Sequence, residues 1–143
     1  MTTDATDATR ATMTVLLYSD DVNTRGKVKL AVGRRPAPDV PRVEWFECAT
    51  APAVIAAVDA GGVGVCVLDG EATPVGGLGL CRQLKDEIYR CPPILVLIGR
   101  AQDAWLAAWS RADLVVPYPL DPVTLADAVA TLMRRRAAQL PVP

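Results

Sequence analysis

The apolar positions of this chain fall into short continuous runs separated by longer stretches in which apolar residues recur at helical spacing. The most distinct run is Val63-Gly64-Val65-Cys66-Val67-Leu68, bounded by glycines and ending abruptly on Asp69. A short, β-branched, wholly apolar run of this kind predicts a strand buried on both faces, as in a parallel sheet covered by helices. Thr14–Ser19, Val43–Glu47, Ile94–Ile98 and Leu114–Val116 are read as four further strands. Between them lie helices with recognisable ends. One runs from Asn23 to Val32 and is capped by Asp21 or Asn23; one is capped by Thr50, carries Pro52 in its first turn and stops at Gly61-Gly62. Others run from Leu78 to Tyr89, closed off by Cys91-Pro92-Pro93, from Gln102 to Arg111, and from the Asp121-Pro122 cap to Arg136. Strands alternating with helices predict an α/β fold, a single doubly wound (βα)5 parallel sheet with right-handed crossovers.

The segments outside this alternation are easily told apart. Residues 1–13 repeat Asp-Ala-Thr with almost no large apolar side chain and are expected to be a mobile tail; 14–136 form the domain, and 137–143 a second tail. Gly33–Pro41, broken by three prolines, is a linker, whose Arg34 and Arg35 with nearby Arg42 read either as a small basic patch or as a solvated loop. Glu71–Gly77 is a turn-rich loop beside the end of the central strand.

Length and composition narrow the function classes. With 143 residues the chain suits one domain with a sizeable core, and 22% charged residues with half the chain hydrophobic exclude a disordered body. A net charge of −1 argues against a general nucleic-acid binder. No apolar run reaches the ~20 residues of a membrane helix, and no basic-then-apolar leader opens the chain, so a cytoplasmic location is expected. Cys48, Cys66, Cys81 and Cys91 show no CxxC spacing, and the chain has 0 histidines. Reduced thiols are therefore expected in place of a zinc site, and Ser-His or Cys-His catalysis is excluded.

The candidate chemistry is acidic. Asp69 ends one strand, and Asp20 and Asp21 follow another. Carboxyl ends of strands are where open α/β sheets place their ligands, although Asp69-Gly70 is equally good turn chemistry. Three carboxylates converging on one sheet edge would repel unless a hard cation sat among them, and Mg²⁺, which keeps several waters and takes few carboxylates, suits that role with weak binding.

In its acidic pair after strand 1, its single Asp after strand 3 and its five βα units, the stretch from Thr14 to Arg136 resembles the receiver domain of bacterial two-component response regulators. The resemblance implies a flavodoxin-like, CheY-like fold. It implies Asp69 as phosphoacceptor, and Asp20, Asp21 and Asp69 with the backbone carbonyl of Glu71 as Mg²⁺ ligands. It also pairs Tyr118-Pro119 with the family's Lys-Pro step, commonly a cis peptide.

The same alignment exposes departures. Where the family carries a Thr or Ser hydroxyl on strand 4, this chain has Ile98 followed by Gly99; the family's Lys is Tyr118, and its aromatic switch position on strand 5 is Val115. Phosphoryl transfer depends on positioning and charge stabilisation, so these losses remove much of the means of reading a phosphoryl group. The chain therefore resembles an atypical receiver, or pseudo-receiver.

Three functions stand open at this point. The favoured one is a stand-alone, non-enzymatic receiver module that binds a protein partner without needing phosphorylation. The others are a phosphorylatable receiver with Asp69 as acceptor, and a small Mg²⁺-dependent phosphate hydrolase. Trp105 and Trp109, four apart and hence on one helix face, are either core or a partner-binding surface. Because nearly every position around them is apolar, that helix is expected to be covered on more than one side. Helix 4, strand 5 and helix 5 are the surface through which the family dimerises and binds partners. Arg134-Arg135-Arg136 is read as complementing the last helix's dipole. A narrower resemblance is to orphan receiver-like chains found beside proton-pumping NADH dehydrogenase genes of high-GC Gram-positive bacteria. It implies an accessory subunit of that complex, membrane-associated through its partner.

Overall fold

The computed structural model describes residues 11–100 and 103–139. Five strands and five helices alternate: β1 (Thr12–Tyr18), α1 (Val22–Val32), β2 (Arg42–Cys48), α2 (Ala51–Ala60), β3 (Val63–Asp69), α3 (Gly77–Glu87), β4 (Ile94–Ile98), α4 (Ala104–Ser110), β5 (Leu114–Pro117) and α5 (Pro122–Gln139). All strands are parallel and lie in the order β2-β1-β3-β4-β5. The α/β doubly wound sheet expected from the hydrophobic pattern is the one observed.

Period-two alternation divides the central strands into two cores. Val15, Leu17, Val65, Val67, Leu95, Leu97 and Val116 pack against Val28 and Val32 of α1 and Leu125, Val129 and Met133 of α5. Their neighbours Leu16, Tyr18, Cys66, Leu68, Val96 and Ile98 pack against Val54 and Val58 of α2 and Leu80 and Leu84 of α3. This explains the continuous apolar runs: each strand residue has a helix above or below it. Each buried Val, Leu or Ile contributes roughly 1.5–3 kcal/mol, and the three central strands supply nearly half of the buried hydrophobic residues, the helices packed on them most of the rest.

Element ends follow the expected chemistry with local differences. Asp21, not Asn23, caps α1, its carboxylate accepting from the Asn23 N–H at 2.8 Å. Thr50 caps α2, and Gly61 and Gly62, at φ 84° and 91°, end it where a side chain would be strained. β1 starts at Thr12 because its backbone pairs with Arg42 of β2, and Met13 is buried. The segment read as a tail over residues 1–13 thus ends sooner, and residues 1–10 lie outside the described residues. At the other end α5 continues to Gln139, with the bidentate Arg134–Asp39 pair at 2.7 and 2.8 Å fastening it to the proline-rich linker. Residues 137–139 are therefore helix, and 140–143 lie outside the described residues. α3 stops at Glu87 instead of Tyr89, and α4 begins at Ala104; Gln102, the expected start, is outside the described residues.

The strand order reverses at β1 and β3, and the crevice outside their carboxyl ends is the switch point where such sheets bind ligands. Asp20, Asp21 and Asp69 all sit there. Gly77 lets α3 approach this point closely, since a Cβ on it would stand 2.8 Å from the Asp69 carbonyl oxygen.

Candidate functional site

Asp69 closes β3 and is only 3% exposed. Its carboxylate accepts three hydrogen bonds from the chain itself. One oxygen accepts from the Ser19 hydroxyl at 2.8 Å; the other accepts from the Glu71 N–H at 2.9 Å and the Tyr118 hydroxyl at 3.0 Å. Ser19, wholly buried, is held in turn by the Asp21 N–H on its hydroxyl (3.1 Å) and by Arg25, whose guanidinium donates to the Ser19 carbonyl at 2.7 Å. Arg25 is oriented by Glu47 of β2 at 3.1 Å. Together with Lys29, Arg25 holds the Glu47 carboxyl below its ordinary range.

Ser19 escaped the sequence reading as a site residue; its signal was its place at the end of a buried strand beside the acidic pair.

The acidic pair is also committed. Asp20 accepts from the Thr73 N–H at 3.2 Å and the Thr73 hydroxyl at 3.1 Å, bonds that lower its pKa. Asp21 caps α1. Asp20, Asp21, Thr24, Asp69, Glu71, Gly99 and Tyr118 line one open hollow of about 390 Å³. Asp20, Asp21 and Asp69 thus border one hollow at the sheet edge, as their positions after strands suggested, and Glu71 joins them there.

Their oxygen chemistry suits Mg²⁺, but their arrangement does not form a cage. Among the described residues no three His, Cys, Asp or Glu groups stand close enough to share an ion.

The departures are visible in three dimensions. Ile98 turns into the α2–α3 core, and Gly99 contributes no side chain to the hollow. A Cβ at Gly99 would overlap the Glu71 carboxylate, which rests against that position. Tyr118, after β5, reaches Asp69 as a neutral donor where a cation was expected from the family. Burial, the Asp69 charge and their hydrogen bond push its phenol above the ordinary 10.0. The Tyr118-Pro119 peptide is cis, and so is Thr73-Pro74, which the sequence reading did not anticipate.

Trp105 and Trp109 are not core. They are 69% and 51% exposed, and α4 buries only Ala107 and Ser110, so the expected cover on several sides of this helix is absent from the described residues. The four-residue spacing does place both indoles on one face, the one turned to solvent. Arg82 of α3 lies 5.4 Å over the Trp109 ring and donates to the Trp109 carbonyl at 2.7 Å. Arg134 and Arg135, read as dipole partners, instead make specific pairs with Asp39 and Asp113. The four cysteines are free, and burial pushes the Cys81 thiol up to about 12.

No family model matches the chain. An uncharacterised response regulatory protein of Mycobacterium tuberculosis strain CDC 1551 / Oshkosh is 53% identical over 123 residues, spanning 86% of this chain and 92% of that protein. The same figures hold for an uncharacterised response regulatory protein of strain H37Rv. The CheY-like receiver domain protein of Methanospirillum hungatei superposes with a TM-score of 0.70 at 15% identity, over 91% of this chain and 100% of that one. A Francisella response-regulator receiver domain superposes at 0.71 with 16% identity, over 86% and 98%.

The five-stranded parallel sheet, with its acidic crevice at the switch point, has the fold of CheY-like receiver domains. The chain belongs to the response-regulator family and is a receiver domain of two-component signalling.

Proposed function

We propose that this receiver acts by binding a protein partner through the surface around α4, without needing a phosphoryl group on Asp69. The observation that carries this reading is the Asp69 carboxylate itself. It is already held by three donors of the chain, from Ser19, Glu71 and Tyr118. Beside it, the positions that would supply a reading hydroxyl and a cation hold Ile98 and Tyr118. A ligand shifts a conformational equilibrium only through contacts that differ between the two states. With neither group present, a phosphoryl group would have little to pull on. The exposed Trp105–Trp109 face supports a protein-binding output, because indoles are enriched among the residues that dominate interfaces.

The assembly this reading points to is a large complex such as a respiratory NADH dehydrogenase, with the receiver as an accessory subunit held at the membrane through its partner. No helix among the described residues is long and apolar enough to cross a membrane by itself. Affinity purification from the native host tests both parts. The same partner should be captured by the natural protein and by Asp69→Asn, and phosphatase or acyl phosphate treatment should leave the yield unchanged. A partner retained only by phosphorylated Asp69 would establish the phosphorylatable receiver instead.

Weak Mg²⁺ binding is the second expectation. The oxygen donors are present, but each carboxylate of the acidic pair is already hydrogen-bonded, and Mg²⁺ gives up its waters reluctantly. Amide shifts at Asp20, Asp21 and Asp69 should therefore move only at millimolar metal. Saturation at micromolar Mg²⁺ would contradict the arrangement described, and no response at millimolar metal would remove the site.

A further inference from the structure

We infer that the hollow between the turn after α3 and the last turn of α5 binds a phosphate group through Arg90 and Arg136. It lies at the amino ends of the strands, the edge of the sheet opposite the Asp69 crevice.

The hollow has a volume of about 500 Å³ and is lined by Arg90, Cys91, Arg136 and Gln139. Among the described residues no carboxylate lines it. Burial pushes the Cys91 thiol up, so it stays neutral and adds no negative charge. Arg134 and Arg135, in the same turn as Arg136, are paired with Asp39 and Asp113. Arg136 is half-buried, yet its guanidinium has no ion pair or hydrogen bond among the described residues. Taking a cation partly out of water without a counter-charge costs free energy, which an anion in the hollow would offset.

Arg90 is a second, independent sign. Its backbone is left-handed at φ 56°, a conformation that glycine or asparagine adopts with less strain, so the turn alone does not require arginine there. Its guanidinium lies 5.5 Å over the Tyr89 ring and has no acidic partner among the described residues. Asp59 and Glu87 border an adjoining hollow that both arginines also line, but neither forms an ion pair with them.

The donors favour phosphate. A guanidinium presents a planar fork of N–H groups matched to phosphate oxygens. Two forks from different elements suit a tetrahedral dianion, which has oxygens for both, better than a carboxylate, whose two oxygens one arginine can take. Against them stands the negative pole of α5, about half an elementary charge. Two full positive charges outweigh it.

The test titrates inorganic phosphate into the full chain at constant ionic strength, without Mg²⁺, while the signals of Cys91, Gln139 and the two arginine side chains are followed. Saturable shifts at millimolar phosphate are expected. Arg90→Gln and Arg136→Gln should each weaken binding roughly tenfold, a difference of about 1.4 kcal/mol, and the double variant should not saturate. Arg111→Gln removes an equal charge that is already paired with Asp86, and it should leave the affinity unchanged, as should Asp69→Asn. Shifts that grow without saturating, or an equal loss in Arg111→Gln, would overturn the site. So would a response abolished by Asp69→Asn, which would place the anion in the acidic crevice. Arg90 is exposed and its side chain makes no hydrogen bond among the described residues, so Arg90→Gln keeps the test valid if Arg136→Gln folds poorly. A soluble phosphate compound and a phospholipid headgroup share this chemistry, and vesicles of phosphatidylcholine with and without phosphatidic acid separate them. Co-sedimentation that needs both phosphatidic acid and the two arginines assigns the headgroup; its absence beside saturable phosphate binding assigns the soluble compound. None of these readings depends on partner capture, so this site and the partner binding proposed above can fail separately.

Discussion

Replacing Trp105 and Trp109 together with Ala is expected to abolish partner capture while leaving the domain folded. Both indoles are mostly solvent-exposed, so their removal takes little from the core. The main local loss is the Arg82–Trp109 contact, worth about 0.5–1 kcal/mol at an exposed site. At an interface the balance reverses. A single aromatic anchor typically costs about 2 kcal/mol or more on truncation, and every 1.4 kcal/mol is roughly tenfold in Kd, so two anchors remove most of a micromolar complex. Thermal melting and pull-down on the same variant separate the two effects. A melt within a few degrees of the natural protein together with lost capture is the expected pair. Undiminished capture would move the interface elsewhere, and the Arg34–Pro41 linker would be examined next.

Tyr118→Phe is expected to destabilise the domain by about 2 kcal/mol at neutral pH, the usual scale for a hydrogen bond to a charged group. The variant keeps the ring but withdraws one of the three donors from the buried Asp69 carboxylate. The effect has a definite pH dependence. The Tyr118 pKa is raised in the folded state, by burial first and by Asp69 second. A raised folded pKa gives stability that is fully present below the unfolded phenol value near 10 and is lost as pH rises toward the folded value. The natural protein should therefore weaken above about pH 10, and the gap between it and Tyr118→Phe should narrow there. Tyr18, also pushed up by burial, is present in both proteins and does not disturb the comparison. Chemical denaturation at neutral and alkaline pH reads this directly. A gap that widened above pH 10 would mean that the phenol is not the donor to Asp69.

Much of this architecture was legible because the chain is locally consistent. Val63–Leu68 and Ile94–Ile98 are apolar without interruption because helices cover both faces, and Thr50, Gly61-Gly62 and Asp121-Pro122 mark helix ends by their own backbone chemistry. The acidic crevice was legible for a topological reason: carboxylates at the ends of adjacent parallel strands must meet at one edge.

The rest depended on contacts that periodicity does not encode. The four-residue spacing of Trp105 and Trp109 fixed their shared face, but not whether that face turned toward α3 or toward solvent. Ser19 and Tyr118, 99 positions apart in the chain, reach the same carboxylate only through the sheet order. The overlap of Glu71 with the empty side of Gly99 is a relation between a loop and a strand end that neither segment announces.

The most direct test of the account asks whether filling the Asp69 site switches the partner surface. Amide spectra of the natural protein are compared with and without saturating beryllofluoride, a phosphoryl mimic, and Mg²⁺. Shifts are expected to be confined to the residues lining the hollow, Tyr118 included, with α4 and the body of β5 unmoved because Ile98 offers no hydroxyl and Tyr118 no cation to draw them toward the anion. A broad displacement across α4 and β5, reaching Trp105 and Trp109, would contradict it and make this a phosphate-switched receiver.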